Sequence, residues 1–88
     1  MAITNGNQTI ETAVAQVDGL SQFQSTIFIH NNDTTKDLLI GGPNLTLANG
    51  VPLAKLQYIE IQVPPLEAVY LLSSSGTVSV SWMRITQD

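Results

Sequence analysis

Gln57-Tyr58-Ile59-Glu60-Ile61-Gln62-Val63 is the stretch whose reading decides the fold. Side chains of an extended chain point to opposite faces in turn. Here Tyr58, Glu60 and Gln62 share one side and Ile59, Ile61 and Val63 the other, which is an amphipathic strand. Pro64-Pro65 ends it. Downstream, Ala68 to Leu72 is a continuous apolar run read as a buried strand, and Ser73-Ser74-Ser75-Gly76 is a turn. Thr77 to Ile85 alternates again, with Val78, Val80, Trp82 and Arg84 on one face. Upstream, Asn49-Gly50 is a turn signal stiffened by Pro52, and Gly41-Gly42-Pro43 closes the strand Leu38-Leu39-Ile40. Ser25 to Asn31 places Ile27 and Ile29 on one face and Phe28 and His30 on the other, as expected of a central strand.

The remaining pieces fit the same scheme less sharply. Asn44 to Ala48 reads as a short extended piece. Thr9 to Val17, ended by Asp18-Gly19, reads as a strand on its β-branched content, although the spacing of Ile10, Val14 and Val17 also suits a short helix. Residues 1–8 are polar with a turn signal and read as a flexible N-terminal arm, leaving 9–88 as one domain. About six to seven short strands at regular turn spacing predict a small antiparallel β-sandwich, jelly-roll-like or immunoglobulin-like. Its expected core holds Ile27, Ile29, Ile40, Ile59, Ile61, Tyr70, Val78, Val80 and Trp82. Its structural turns use Gly41, Gly42, Asn49, Gly50, Pro52 and Gly76, with Gly41-Gly42 expected at positive φ.

Composition narrows the function. With 88 residues the chain makes a domain of marginal core size, which normally leans on disulfides, metals or partners. There are no cysteines and one histidine, so oligomerisation is the remaining support; no cofactor or metal is expected. Only 11% of residues are charged, and the net charge is −4. The three basic residues, Lys36, Lys55 and Arg84, are scattered, which with the net negative charge argues against a phosphate-binding surface, so no nucleic acid partner is expected. No apolar run approaches a bilayer span, and the first twenty residues hold no secretory leader pattern. Synthesis in the cytoplasm and no membrane partner are therefore expected.

Candidate chemistry is sparse. Gly41-Gly42-Pro43 lacks the Lys that closes a phosphate loop. His30 has Asp33 and Asp37 near it in sequence but no nucleophile at triad spacing. Asn31, Asn32, Asp33 and Asp37 are oxygen-rich without the acidic count of a calcium loop. Glu60 and Glu67 are separated by a turn. These groups read more simply as turn, surface and interface residues, and the chain as no enzyme. The residues picked for an interface are Ile3, His30, Asn31, Asp33 and Tyr58, the last as the best exposed aromatic.

Taken in order, Ile29-His30-Asn31-Asn32, Leu39-Ile40-Gly41-Gly42, Leu45-Thr46, Asn49-Gly50-Val51-Pro52-Leu53, Tyr58-Ile59-Glu60-Ile61, Val69-Tyr70-Leu71-Leu72, Ser75-Gly76-Thr77 and Val78-Ser79-Val80 resemble a family of small tailed-phage virion proteins. The chain departs from that pattern at Pro64-Pro65, where a Gly-containing turn is usual, and in Val80-Ser81-Trp82-Met83-Arg84-Ile85 at the end. The resemblance implies a β-sandwich on the phage particle. In the leading form it is a capsid decoration protein, a homotrimer by family habit, that binds the major capsid protein and resides in the virion. The alternative is a receptor- or carbohydrate-binding module of a tail fibre or spike, or a head- or tail-completion component. No catalytic residue is carried over by the resemblance.

Overall fold

The computed structural model describes residues 2–87. They form eight strands and, among the described residues, no helix: β1 Ala2–Ile10, β2 Ala15–Val17, β3 Ser25–Asn31, β4 Leu38–Gly41, β5 Val51–Leu53, β6 Tyr58–Val63, β7 Val69–Ser73 and β8 Val78–Thr86. Two four-stranded sheets face each other, in the orders β1-β8-β3-β6 and β2-β7-β4-β5. Every pairing is antiparallel. The pairs β4·β5, β3·β6, β2·β7 and β1·β8 are nested, as if one long hairpin were rolled onto itself. Of the two sandwich types the sequence left open, this order is that of the jelly roll.

The core follows from the alternation. Ile27 and Ile29 of β3, Val78 and Val80 of β8, Val63 of β6 and Ile10 of β1 meet Val17, Leu38, Ile40, Leu53, Val69 and Leu71 of the opposite sheet. Ile59 and Ile61 pack against this cluster but are half-buried, because β6 is an edge strand with sheet on one side only. Trp82 also packs against the core from β8, and its indole lies over Gly6, where an added Cβ would come within 2.9 Å of Cζ2. Gly6 is therefore glycine for close approach.

Several expectations are corrected. Residues 2–8, read as a flexible arm, belong to β1, which runs beside β8 in unbroken register from Ala2↔Thr86 to Ile10↔Val78; Met1 lies outside the described residues. An edge strand pairs through its backbone, so a polar side-chain pattern does not forbid it. Thr9 to Val17 is the end of β1, a turn and β2. Asn44 to Ala48 is not extended but lies in turns, where the Asn49 side chain takes the Thr46 N–H at 2.7 Å and donates to the Asn44 carbonyl at 3.0 Å. That loop folds back on the outer side of the second sheet and buries Leu45. A Cβ on Gly50 would sit 2.6 Å from Leu39 Cβ and 2.9 Å from Leu45 Cδ1, so Gly50 is required by packing. Gly41 and Gly42 do not take positive φ; among the glycines only Gly76 does, at +64°. The other left-handed positions are held by Asp18, Leu56 and Leu66. Pro52 lies within β5, opposite Leu39, on a sheet edge where its missing N–H costs no ladder bond. Tyr70, expected in the core, is half-buried on the outer side of the second sheet, its hydroxyl 3.5 Å from Gln16 Oε1, because its neighbours Val69 and Leu71 take the inward positions.

Candidate functional site

The outer face of β1-β8-β3-β6 gathers three of the five residues picked for an interface. Register fixes the arrangement. Ile3 lies opposite Ile85, Asn5 opposite Met83, Met83 opposite Phe28, and Ser81 opposite His30, which in turn lies opposite Tyr58. Inward positions on these strands are held by Ile27, Ile29, Val78 and Val80, so these side chains alternate outward. The result is an apolar stripe running obliquely across the sheet from Ile3 through Ile85, Met83 and Phe28 to Tyr58. Tyr58 is 69% exposed, Ile3 63% and Met83 37%, while Phe28 and Ile85 are half-buried. Glu60 is the one charged side chain that β6 adds to this face.

A polar ladder flanks the stripe and fixes its geometry. His30 Nδ1–H donates to Asn32 Oδ1, since an amide oxygen only accepts. Asn32 Nδ2 donates to Ser81 Oγ at 2.9 Å, and the Ser81 hydroxyl donates to Asn7 Oδ1 at 2.9 Å. Three strands and a loop are tied together by side chains as well as by backbone. Beside the ladder, Asn5, Phe28, His30, Tyr58, Ser81 and Met83 surround a shallow depression of about 380 Å³.

The other two picks are structural. Asn31 is fully buried, so it is corrected from interface to interior. Its Nδ2 donates to the carbonyls of Lys36 at 3.0 Å and Leu53 at 3.2 Å, and its Oδ1 accepts from the Asp33 N–H at 2.9 Å. It clamps the β3–β4 connection to the end of β5. Asp33 Oδ1 accepts from the Thr35 and Lys36 N–H groups at 2.8 and 2.9 Å, and from the Thr35 hydroxyl. The backbone bond from Thr35, then that from Lys36, holds its carboxyl below the ordinary aspartate range. Asn31 at the end of β3 and Asp33 just beyond it both serve to hold the β3–β4 loop.

The candidate chemistry does not converge. His30 bonds Asn32 and not a carboxylate, while Asp37 Oδ1 accepts the Lys55 N–H at 2.9 Å. Among the described residues no cluster of three or more His, Cys, Asp or Glu has metal-binding geometry. Glu60 lies on the exposed face, whereas Glu67 rims a second concavity of about 350 Å³, an apolar cleft between β6 and the β4–β5 edge. Phe28, Met83 and Ile85 were missed as site residues. The signal was available, since each alternates away from the predicted inward positions, but only the β1-β8-β3-β6 order brings them together.

No family model matches the chain, and no curated protein does. Solved structures do match at the level of the fold. A protein of the Bacillus endospore appendages, which form a family of disulfide-linked pili, superposes with a TM-score of 0.58 at 18% identity, over 99% of this chain and 87% of the other. RmlC from Streptococcus suis, solved in complex with dTDP-D-xylose, superposes with a TM-score of 0.57 at 15% identity, over 98% of this chain and 45% of the other. This chain thus spans less than half the length of RmlC. At such identities the likeness is one of fold alone.

Proposed function

We propose that the protein is a structural subunit of a tailed-phage virion, a decoration protein that docks on the major capsid protein through the outer face of β1-β8-β3-β6. The observation carrying this reading is the exposed stripe Ile3, Ile85, Met83, Phe28 and Tyr58 on a nearly uncharged sheet. Docking there removes apolar surface from water, worth roughly 25 cal/mol per Å² before the costs of association. The polar ladder of His30, Asn32, Ser81 and Asn7 supports a pre-formed surface. The phage resemblance of the strand and turn order supplies the partner. Bound copies stabilise the particle by mass action, because they bind the assembled shell and not its dissociated parts.

A second reading has a specific observation behind it. Tyr58, Phe28, His30 and Asn5 around one shallow depression are an aromatic and amide set of the kind that holds a sugar, which favours a carbohydrate-binding module of a tail fibre. Disulfide linkage of the kind named for the endospore pili is closed to this chain, which has no cysteine.

Adding purified protein to heads that lack it separates the two readings. The decoration reading expects saturable binding, a copy number comparable to the major capsid protein, and a higher melting temperature of the heads. Phe28→Asp should abolish binding while leaving the fold intact. Binding to glycans together with indifference to heads sinks the decoration reading.

A further inference from the structure

Each sheet has two free edges, and a free edge is a row of unpaired N–H and C=O groups that templates another strand unless it is guarded. Three of the four edges are guarded. β2 and β5 are three residues long, and β5 carries Pro52. β6 carries Glu60 and runs directly into Pro64-Pro65. β1 differs on every count. It has nine residues, Ala-Ile-Thr-Asn-Gly-Asn-Gln-Thr-Ile, with no proline and no charge, and its register with β8 runs without a bulge. At about 3.3 Å per residue it extends for roughly 30 Å, against a longest molecular dimension of 37 Å. Every second residue of such a strand turns its N–H and C=O away from the paired side, leaving roughly four or five outward pairs.

We propose that the β1 edge pairs antiparallel with β1 of a second copy of this chain, across a two-fold axis, joining two four-stranded sheets into one of eight. Charge argues for self-pairing. The chain carries a net charge of −4, so two copies repel over most of their surfaces, whereas β1 opposite β1 brings no like charges together. An antiparallel strand pair about a two-fold axis is self-complementary, which a closed dimer requires. The pairing uses the edge and leaves the outer face open, so it stands independently of the decoration reading. It yields a dimer where the phage resemblance implies a trimer.

Sedimentation velocity of the purified full chain, combined with backbone hydrogen exchange at low and high protein concentration, tests this. A dimer is expected, with concentration-dependent protection confined to β1 amides and absent from β2, β5 and β6. Asn5→Lys places a charge on each copy of the edge and should shift the equilibrium at least tenfold toward monomer, with an unchanged circular dichroism spectrum. Asn5→Thr should remain dimeric. A monomer at the highest soluble concentration, a trimer, or protection at β6 or across the Phe28 face overturns the proposal. So does a chain whose β1 amides become protected only when it binds heads, since the edge partner is then another protein.

Discussion

Asn31→Ala is the substitution on which the loop architecture depends most. The side chain is fully buried and makes three hydrogen bonds, to the Lys36 and Leu53 carbonyls and from the Asp33 N–H. Each such bond contributes about 1 kcal/mol net, and a buried group left without a partner costs about 1–3 kcal/mol. The bond to Leu53 is wholly buried, so its carbonyl gains no water in exchange. The expected loss is roughly 3–4 kcal/mol. At about 0.05–0.15 kcal/mol per residue, a domain of this size has a total stability of roughly 4–13 kcal/mol. The melting temperature should then fall by about 15–25 °C. Thermal and urea unfolding followed by Trp82 fluorescence measures the loss. Asn31→Asp sharpens the test, because it preserves volume and the acceptor for Asp33 but turns an oxygen toward two carbonyls. It should be no better than alanine. Exposed Asn44, of which only the backbone carbonyl is bonded by Asn49, is the control, and Asn44→Ala should change stability by under about 0.5 kcal/mol. If Asn31→Ala costs under about 1 kcal/mol, or Asn31→Asp behaves as wild type, Asn31 is no clamp.

Two further outcomes follow from charged groups. The Asp33 carboxyl sits below its ordinary range in the folded chain, so the unfolded chain binds the proton first. Its stabilising contribution is therefore complete above the unfolded value and is lost as pH falls below about 4 through the lowered folded value. Urea midpoints at pH 5 and pH 3 should converge less steeply in Asp33→Asn than in wild type; identical pH dependence refutes the assignment. Arg84 is 4% exposed, its Nε lies 3.4 Å from Asp18 Oδ2, and neither Nε nor Nη2 has a hydrogen-bond partner. Arg84→Met should leave stability unchanged or raise it, since it removes the buried charge with its unpartnered N–H groups and leaves behind Asp18, which at 30% exposure keeps contact with water. Asp18→Asn, which tolerates the φ of 58° there, should cost about 1–3 kcal/mol alone and much less in the Arg84→Met background. A large loss in Arg84→Met, measured by the same melts, refutes this reading.

Alternation and turn chemistry were enough to set most of the strands. Ile27 and Ile29, Ile59 and Ile61, and Val78 and Val80 all face the interior as their period of two requires. The absence of cysteine and the spacing of the turns pointed to a sandwich without covalent staples. Sequence order could not choose the partner of each strand, because strand pairing is decided by contacts between residues far apart in the chain. β8 joins both β1 and β3, and that alone turns residues 2–8 from an arm into an edge. The same pairing assembles Ile3, Ile85, Met83, Phe28 and Tyr58 into one stripe. Asn31 reads as a polar loop residue until β5 arrives to take its hydrogen bond. Local sequence thus determined which segments extend and which side of each is apolar, since both follow from nearest-neighbour geometry. Only the folded chain decided which edges stay open and which polar groups are sealed inside, because both depend on what packs against them.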